Sequence, residues 1–182
     1  MKILLIAGIV ILVATSVVFV IPCFASAKKK LDLPTVPGVQ IEKFMGVWYE
    51  IARFPHRFER DLTGVTATYE MKENGSISVL NQGYKYSLDG KHKKANGIAR
   101  MPDPKEPGFL QVSFFLCFWA DYLILEMDSN YTYALIGSST PDYLWILCRK
   151  PVMDEEIYIM LVEKARSYGY DVSKLEKVIQ RV

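Results

Sequence analysis

Over positions 46–54 the chain reads Gly-Val-Trp-Tyr-Glu-Ile-Ala-Arg-Phe, aromatic and β-branched residues alternating with small or charged ones, the pattern of a strand with two unlike faces. Stretches of the same period recur over 65–69, 76–81, 94–100, 109–115, 119–127, 131–137 and 143–148. Turn signals separate them: Asn74-Gly75, where Asn-Gly readily takes positive φ, then Leu88-Asp89-Gly90, then a Pro-rich run from Pro102 to Gly108. Strands at this short spacing predict an antiparallel meander rather than βαβ units. About eight of them predict an all-β, up-and-down barrel, just wide enough to hold one small ligand. Asp154-Glu155-Glu156 then opens a helix, with acidic groups in its first turn. Its apolar stripe of Ile157, Met160, Leu161, Ala165 and Tyr168 ends at Gly169 and must be buried on the outer wall of the barrel. The Pro-rich run 31–39 predicts an extended lead-in crossing the barrel base.

Composition fits one domain with a sizeable core: 182 residues, 51% hydrophobic and 23% charged. A formal net charge of +2 argues against a dedicated nucleic-acid binder. The beginning of the chain differs in kind, because Ile3 to Pro22 carries no charge and almost no polarity. Residues 1–27 are expected to be an export signal, with Ala25-Ser26-Ala27 as the small-x-small cleavage pattern, or a membrane anchor. Residues 28–182 are the expected domain. Of the three cysteines, Cys117 falls in a connection at one end of the barrel and Cys148 ends the last strand at the other. A disulfide tolerates only about 7 Å between Cα atoms, so two free thiols are expected.

At Gly46-x-Trp48, followed by Tyr49-Glu50-Ile51-Ala52, the chain resembles the lipocalins, and their bacterial outer-membrane lipoprotein branch in particular. Two later stretches fit the same family in order: Asp128-Ser129-Asn130-Tyr131 between the sixth and seventh strands, and Arg149 at the end of the eighth. The resemblance implies a lipocalin (calycin) barrel closed at one end by Gly46, Trp48 and Arg149, the guanidinium lying across the indole in a cation–π contact. It implies a loop after the first strand hanging over the open mouth, with Phe54 and Phe58 as its apolar underside. It also implies storage or transport of a fatty acid or lysophospholipid for membrane maintenance, attachment to the outer membrane or a soluble periplasmic form, and room for a homodimer. Lipoproteins of this branch are acylated on a cysteine placed like Cys23, but Pro22 stands where their motif has a small residue. Acylation, cleavage and retention of Cys23 all stay open.

With Trp48 and Arg149 inside, alternation fixes the inward set. Leu147, Trp145 and Tyr143 follow from the eighth strand, and Ala67, Tyr69, Ile77, Val79, Asn81, Val112, Phe114, Tyr122, Ile124 and Ile136 from the others. Small inward residues at Ala95, Gly97 and Ala99 would leave volume empty. Such a lining suits a hydrophobic ligand with one polar end. His56, Arg57, Arg60 and the hydroxyls of Tyr122 and Tyr143 are candidates to meet that end at the mouth, and Glu50 faces either inward or outward. Catalysis has little support: His56 and His92, the only histidines, have no nucleophile at motif spacing. Neither a metal site nor a cofactor is expected from two histidines and two separated cysteines. Two rivals remain: a lipocalin-fold enzyme acting on a lipid, for which Cys117 would be the nucleophile, and a filled barrel serving as an envelope interaction protein.

Overall fold

The structure is a computed structural model that describes residues 31–115 and 118–182. The expected leader 1–27 with Cys23, and the Cys117 thiol, lie outside the described residues. Eight strands follow one another as a meander: β1 (Gly46–Arg53), β2 (Leu62–Met71), β3 (Ile77–Lys85), β4 (His92–Arg100), β5 (Phe109–Phe115), β6 (Phe118–Met127), β7 (Tyr133–Gly137) and β8 (Leu144–Cys148). Every neighbouring pair is antiparallel, and β1 pairs with both β2 and β8, which closes the barrel. Helix α2 (Glu155–Ser167) packs outside. The strands are longer at the mouth than alternation indicated for β2 and β3, and β7 begins two residues later because 131–132 belong to the preceding turn.

Besides a 3-10 turn at Val172–Lys174, two elements that bear on the barrel have no counterpart in the expected plan. A single helical turn, α1 (Ile41–Phe44), precedes β1 and pushes Ile41 and Phe44 into the barrel. At the far end of the chain, a short strand β9 (Glu176–Lys177) pairs with Ala52 and Arg53. The registered β1–β2 pairing covers only 46–49 on β1. Beyond it the tail continues along both strands: Val178 N–H donates to Ile51 O, Gly64 N–H donates to Ile179 O, and the Gln180 amide donates to Glu50 O and Val65 O. The tail thereby satisfies backbone groups that a split between strands leaves orphaned.

Two apolar clusters divide the protein. One fills the lower barrel: Phe44, Trp48, Tyr69, Ile77, Leu110, Tyr122, Ile124, Ala134, Ile136 and Leu147. The other lies between the outer wall and α2, where Leu161 and Ala165 meet Leu125, Leu135, Ile146 and Cys148. Cys148 is buried there as a free thiol, facing outward as alternation from Trp145 requires. Asp154 caps α2 by accepting from Glu156 N–H, and Gly169 ends it at φ +87°.

Candidate functional site

The closed end is built on Arg149. Its guanidinium carbon lies 3.8 Å from the centre of the Trp48 ring. Its nitrogens donate to the carbonyls of Lys43, Phe44, Met45, Val47 and Tyr131. Five carbonyls on one planar fork tie α1, the start of β1 and the β6–β7 turn together. Gly46 takes φ +95°, and a Cβ there would sit 3.4 Å from the guanidinium. In the adjoining turn, Asp128 accepts from the backbone N–H groups of Asn130, Thr132 and Tyr133 and from the Thr132 hydroxyl. Burial pushes the Asp128 carboxyl up, but these donors outweigh it and hold it below its ordinary range.

Above this seal the barrel is packed. Ile77 is 1% exposed and Ile124 and Ile136 are 0%, so no water-sized space touches them. Phe44 fills the middle, with its ring centroid 4.9 Å from Trp48 and 5.3 Å from Tyr69. Tyr69, Ile77, Val79, Tyr122, Ile124 and Ile136 therefore face inward as alternation requires, but they form a floor beneath the mouth. The Tyr122 hydroxyl is not at the mouth; it shares a 2.8 Å hydrogen bond with Tyr69 deep in the barrel. Both phenols are pushed up by burial.

Accessible inward surface lies in the upper half, at Asn81, Ala95, Gly97, Val112, Phe114, Ala120, Tyr143 and Trp145. Of the three small residues only Ala95 opens space. A Cβ on Gly97 would meet the Phe114 ring at 2.8 Å, so that position accommodates an aromatic face, and Ala99 is buried. Tyr143 and Trp145 stack, ring centroids 5.9 Å apart and 11° from parallel. Phe58 stands at the rim, 53% exposed, with its ring 6.2 Å from Phe115.

Phe54 is not part of this chamber. Opposite β8, β1 carries a bulge between Glu50 and Ala52, and one extra residue inverts the alternation beyond it. Glu50 and Arg53 consequently lie opposite the inward residues Leu147 and Trp145. Phe54 joins the outer cluster instead, its ring 5.9 Å from Tyr170.

The bulge creates a buried polar group on the floor of the chamber. Arg53 donates to Glu50 Oε1 at 2.6 Å and to the carbonyls of Glu59 and Leu62. Glu59, from the β1–β2 loop, turns into the barrel and is 6% exposed. It accepts from Asn81 Nδ2 at 3.2 Å and from the Trp145 indole at 3.3 Å. His56 Nε2 lies 2.9 Å from Glu59 Oε2, off the direction of a hydrogen bond. Burial, reinforced by the Glu59 charge, pushes the Glu50 carboxyl well up, while Arg53 pulls it back only in part. Burial also raises Glu59, but His56, Trp145 and Arg53 outweigh it and hold that carboxyl below its usual value. Arg57 and Arg60 stay exposed on the loop. Among the described residues no group of three or more His, Cys, Asp and Glu side chains is placed to hold a metal ion.

Arg53 and Glu59 were not legible as site residues. Strict alternation puts Arg53 outside, and Glu59 sits between Phe58 and Arg60 in a polar loop with no periodicity. Phe44 carried a signal, since Ile41 and Phe44 are one helical turn apart just before the first strand.

Residues 39–180 match the family model described as a lipocalin-like domain. The chain is 36% identical over 169 residues to the outer membrane lipoprotein Blc of Vibrio cholerae, covering 90% of this chain and 98% of that protein. It is 40% identical over 161 residues to temperature-induced lipocalin-1 of Arabidopsis thaliana, covering 84% and 85%. Among solved structures, insecticyanin of the tobacco hornworm Manduca sexta superposes with a TM-score of 0.66 at 19% identity, covering 82% of this chain and 85% of that one. With a closed barrel, an indole–guanidinium seal and these relatives, the chain belongs to the lipocalin family.

Proposed function

We propose that this lipocalin binds and carries a hydrophobic ligand with one polar end, a fatty acid or lysophospholipid, at the cell envelope, where it serves membrane maintenance. The observation that carries the proposal is the upper half of the barrel interior, where inward aromatic and small side chains keep accessible surface above the buried Glu50–Arg53–Glu59 group. Burial of apolar surface at about 25 cal/mol per Å² drives an acyl chain in, and the mouth leaves the head group wet. The floor at Ile77, Ile124 and Ile136 makes the chamber shallow, so part of a long chain stays near the rim. The relatives named outer membrane lipoproteins support placement at the outer membrane; on this proposal residues 28–182 are the mature domain, anchored or soluble. The role is passive, with no chemistry performed on the lipid; a homodimer is compatible with it.

The test is native mass spectrometry of the purified full chain. Co-purifying lipid is expected, lost in Trp145→Asp, which sets a carboxylate among the chamber aromatics beside Glu59. Absence of lipid in the unaltered chain, even after incubation with a lysophospholipid, would overturn the carrier role and favour the interaction protein. Turnover of the lipid would favour the enzyme.

A further inference from the structure

The meander fixes which connections share an end. β1, β3, β5 and β7 run toward the mouth, so the connections 54–61, 86–91 and 138–143 all lie there, with the facing ends of β5 and β6. Four aromatic side chains stand out from this end: Phe58, Tyr86, Phe115 and Phe118, at 53%, 76%, 61% and 61% exposure. Five basic residues surround them, Arg57, Arg60, Lys91, Lys93 and Lys94, all exposed and none in an ion pair among the described residues. Of the acids at this end, Asp61 and Asp89 are engaged by Lys85 and Arg181, Glu59 is turned inward, and Asp142 in the β7–β8 connection is exposed, so the basic residues remain in excess. The closed end differs. It mixes Glu42, Glu73, Asp103 and Glu106 with Lys43, Lys72 and Lys105 and shows no exposed aromatic ring among the described residues.

The start of the described chain is at the same end as the mouth. Leu31 N–H donates to Ser139 O in the β7–β8 connection, and the lead-in then descends the outer wall, where Val36 N–H donates to Ile124 O, before α1 enters the base. The described chain therefore begins at the mouth, and the sequence ahead of it carries the uncharged run 3–22 and the triplet Lys28-Lys29-Lys30.

We propose that the mouth is a docking face for an anionic phospholipid bilayer, so that the chamber opens directly onto the membrane surface. Exposed aromatic rings favour the interfacial zone of a bilayer, and each basic residue near an anionic surface strengthens attachment. A cluster of protruding rings on one end of a soluble barrel marks an interaction surface. Charge selects the partner: five cations around the rings fit phosphate head groups. The purpose of the face rests on the carrier reading; its existence is decided separately.

The experiment is lysine acetylation of the unaltered full chain, read residue by residue by mass spectrometry, on vesicles of phosphatidylcholine alone and of phosphatidylcholine with an equal share of phosphatidylglycerol. Lys91, Lys93 and Lys94 are expected to react about fivefold more slowly on the anionic vesicles, the factor that one basic contact supplies. Lys72, Lys105 and Lys150 keep their rates. Equal protection of both sets, protection of the second set alone, or no protection overturns the proposal. A fluorescent lysophospholipid supplied from anionic vesicles adds a second readout. Lys93→Glu with Lys94→Glu and Phe118→Ser slows its transfer by about 25-fold or more, the product of two lost basic contacts, while affinity in free solution stays unchanged. If the unaltered chain takes up none of this probe, the carrier reading fails while the acetylation pattern still decides docking.

Discussion

Arg149 and Glu50 show how much one side chain decides in this protein. A guanidinium serves five carbonyls and an indole face at once because its donors lie in one plane. An ammonium cannot reproduce that fork. Arg149→Lys is expected to destabilise the protein by about 2 kcal/mol in urea unfolding, and a loss below measurement would remove the seal from the list of stabilising features. Glu50 acts in the other direction. Its folded-state pKa is raised above 4.5, so the folded protein holds a proton that the unfolded chain releases first. The stability Glu50 contributes is complete below pH 4.5 and is lost as pH rises through the folded value. Glu50→Gln keeps an acceptor for Arg53 and removes the titration. The variant is expected to be stabilised relative to the parent at pH 8 but not at pH 4, in matched denaturation series. A constant difference across pH would place Glu50 outside the titrating set. The Trp48–Arg149 pair was legible from motif order. The inward Glu50–Arg53–Glu59 group was not, because a one-residue bulge between Glu50 and Ala52 reverses the alternation that the residue types announce.

Among the elements, α1 decides the depth of the chamber. Four residues long, it has little helical stability of its own and is held by Arg149, which donates to the Lys43 and Phe44 carbonyls, and by the Trp48 indole, which donates to Phe44 O at 2.8 Å. Phe44 is fully buried between Trp48, Tyr69 and Tyr122. Phe44→Ala is expected to cost about 4 kcal/mol and to open the floor, shifting preference within a series of lysophospholipids toward longer acyl chains. Unchanged chain-length preference in a folded variant would mean that Phe44 does not set the depth. Eight strands and α2 were legible from their periods, because strand alternation and a helical stripe are local properties. The tail strand β9 was not. It has two residues, and what holds it is the gap beside β1, which no local pattern reports.

For the whole molecule, a ligand that binds only the folded barrel must stabilise it. At a hundredfold excess over Kd the gain is about 2.7 kcal/mol, and for a domain of this size that raises the thermal midpoint by several degrees. A lysophospholipid should therefore raise the midpoint of the unaltered chain and leave that of Trp145→Asp in place. No shift in the former would contradict the carrier role. The sequence by itself determined the closed meander, the outer helix and the sealed base, since these follow from short-range alternation and from a few residues at fixed order. Only the tertiary structure decided where the accessible chamber begins, that Gly97 receives Phe114, that Phe54 faces α2 and its flanks, and that Glu59 folds inward. The physical reason is that inward-facing and ligand-facing are different properties. Alternation dictates the first, whereas packing against partners far along the chain decides whether any space remains for the second.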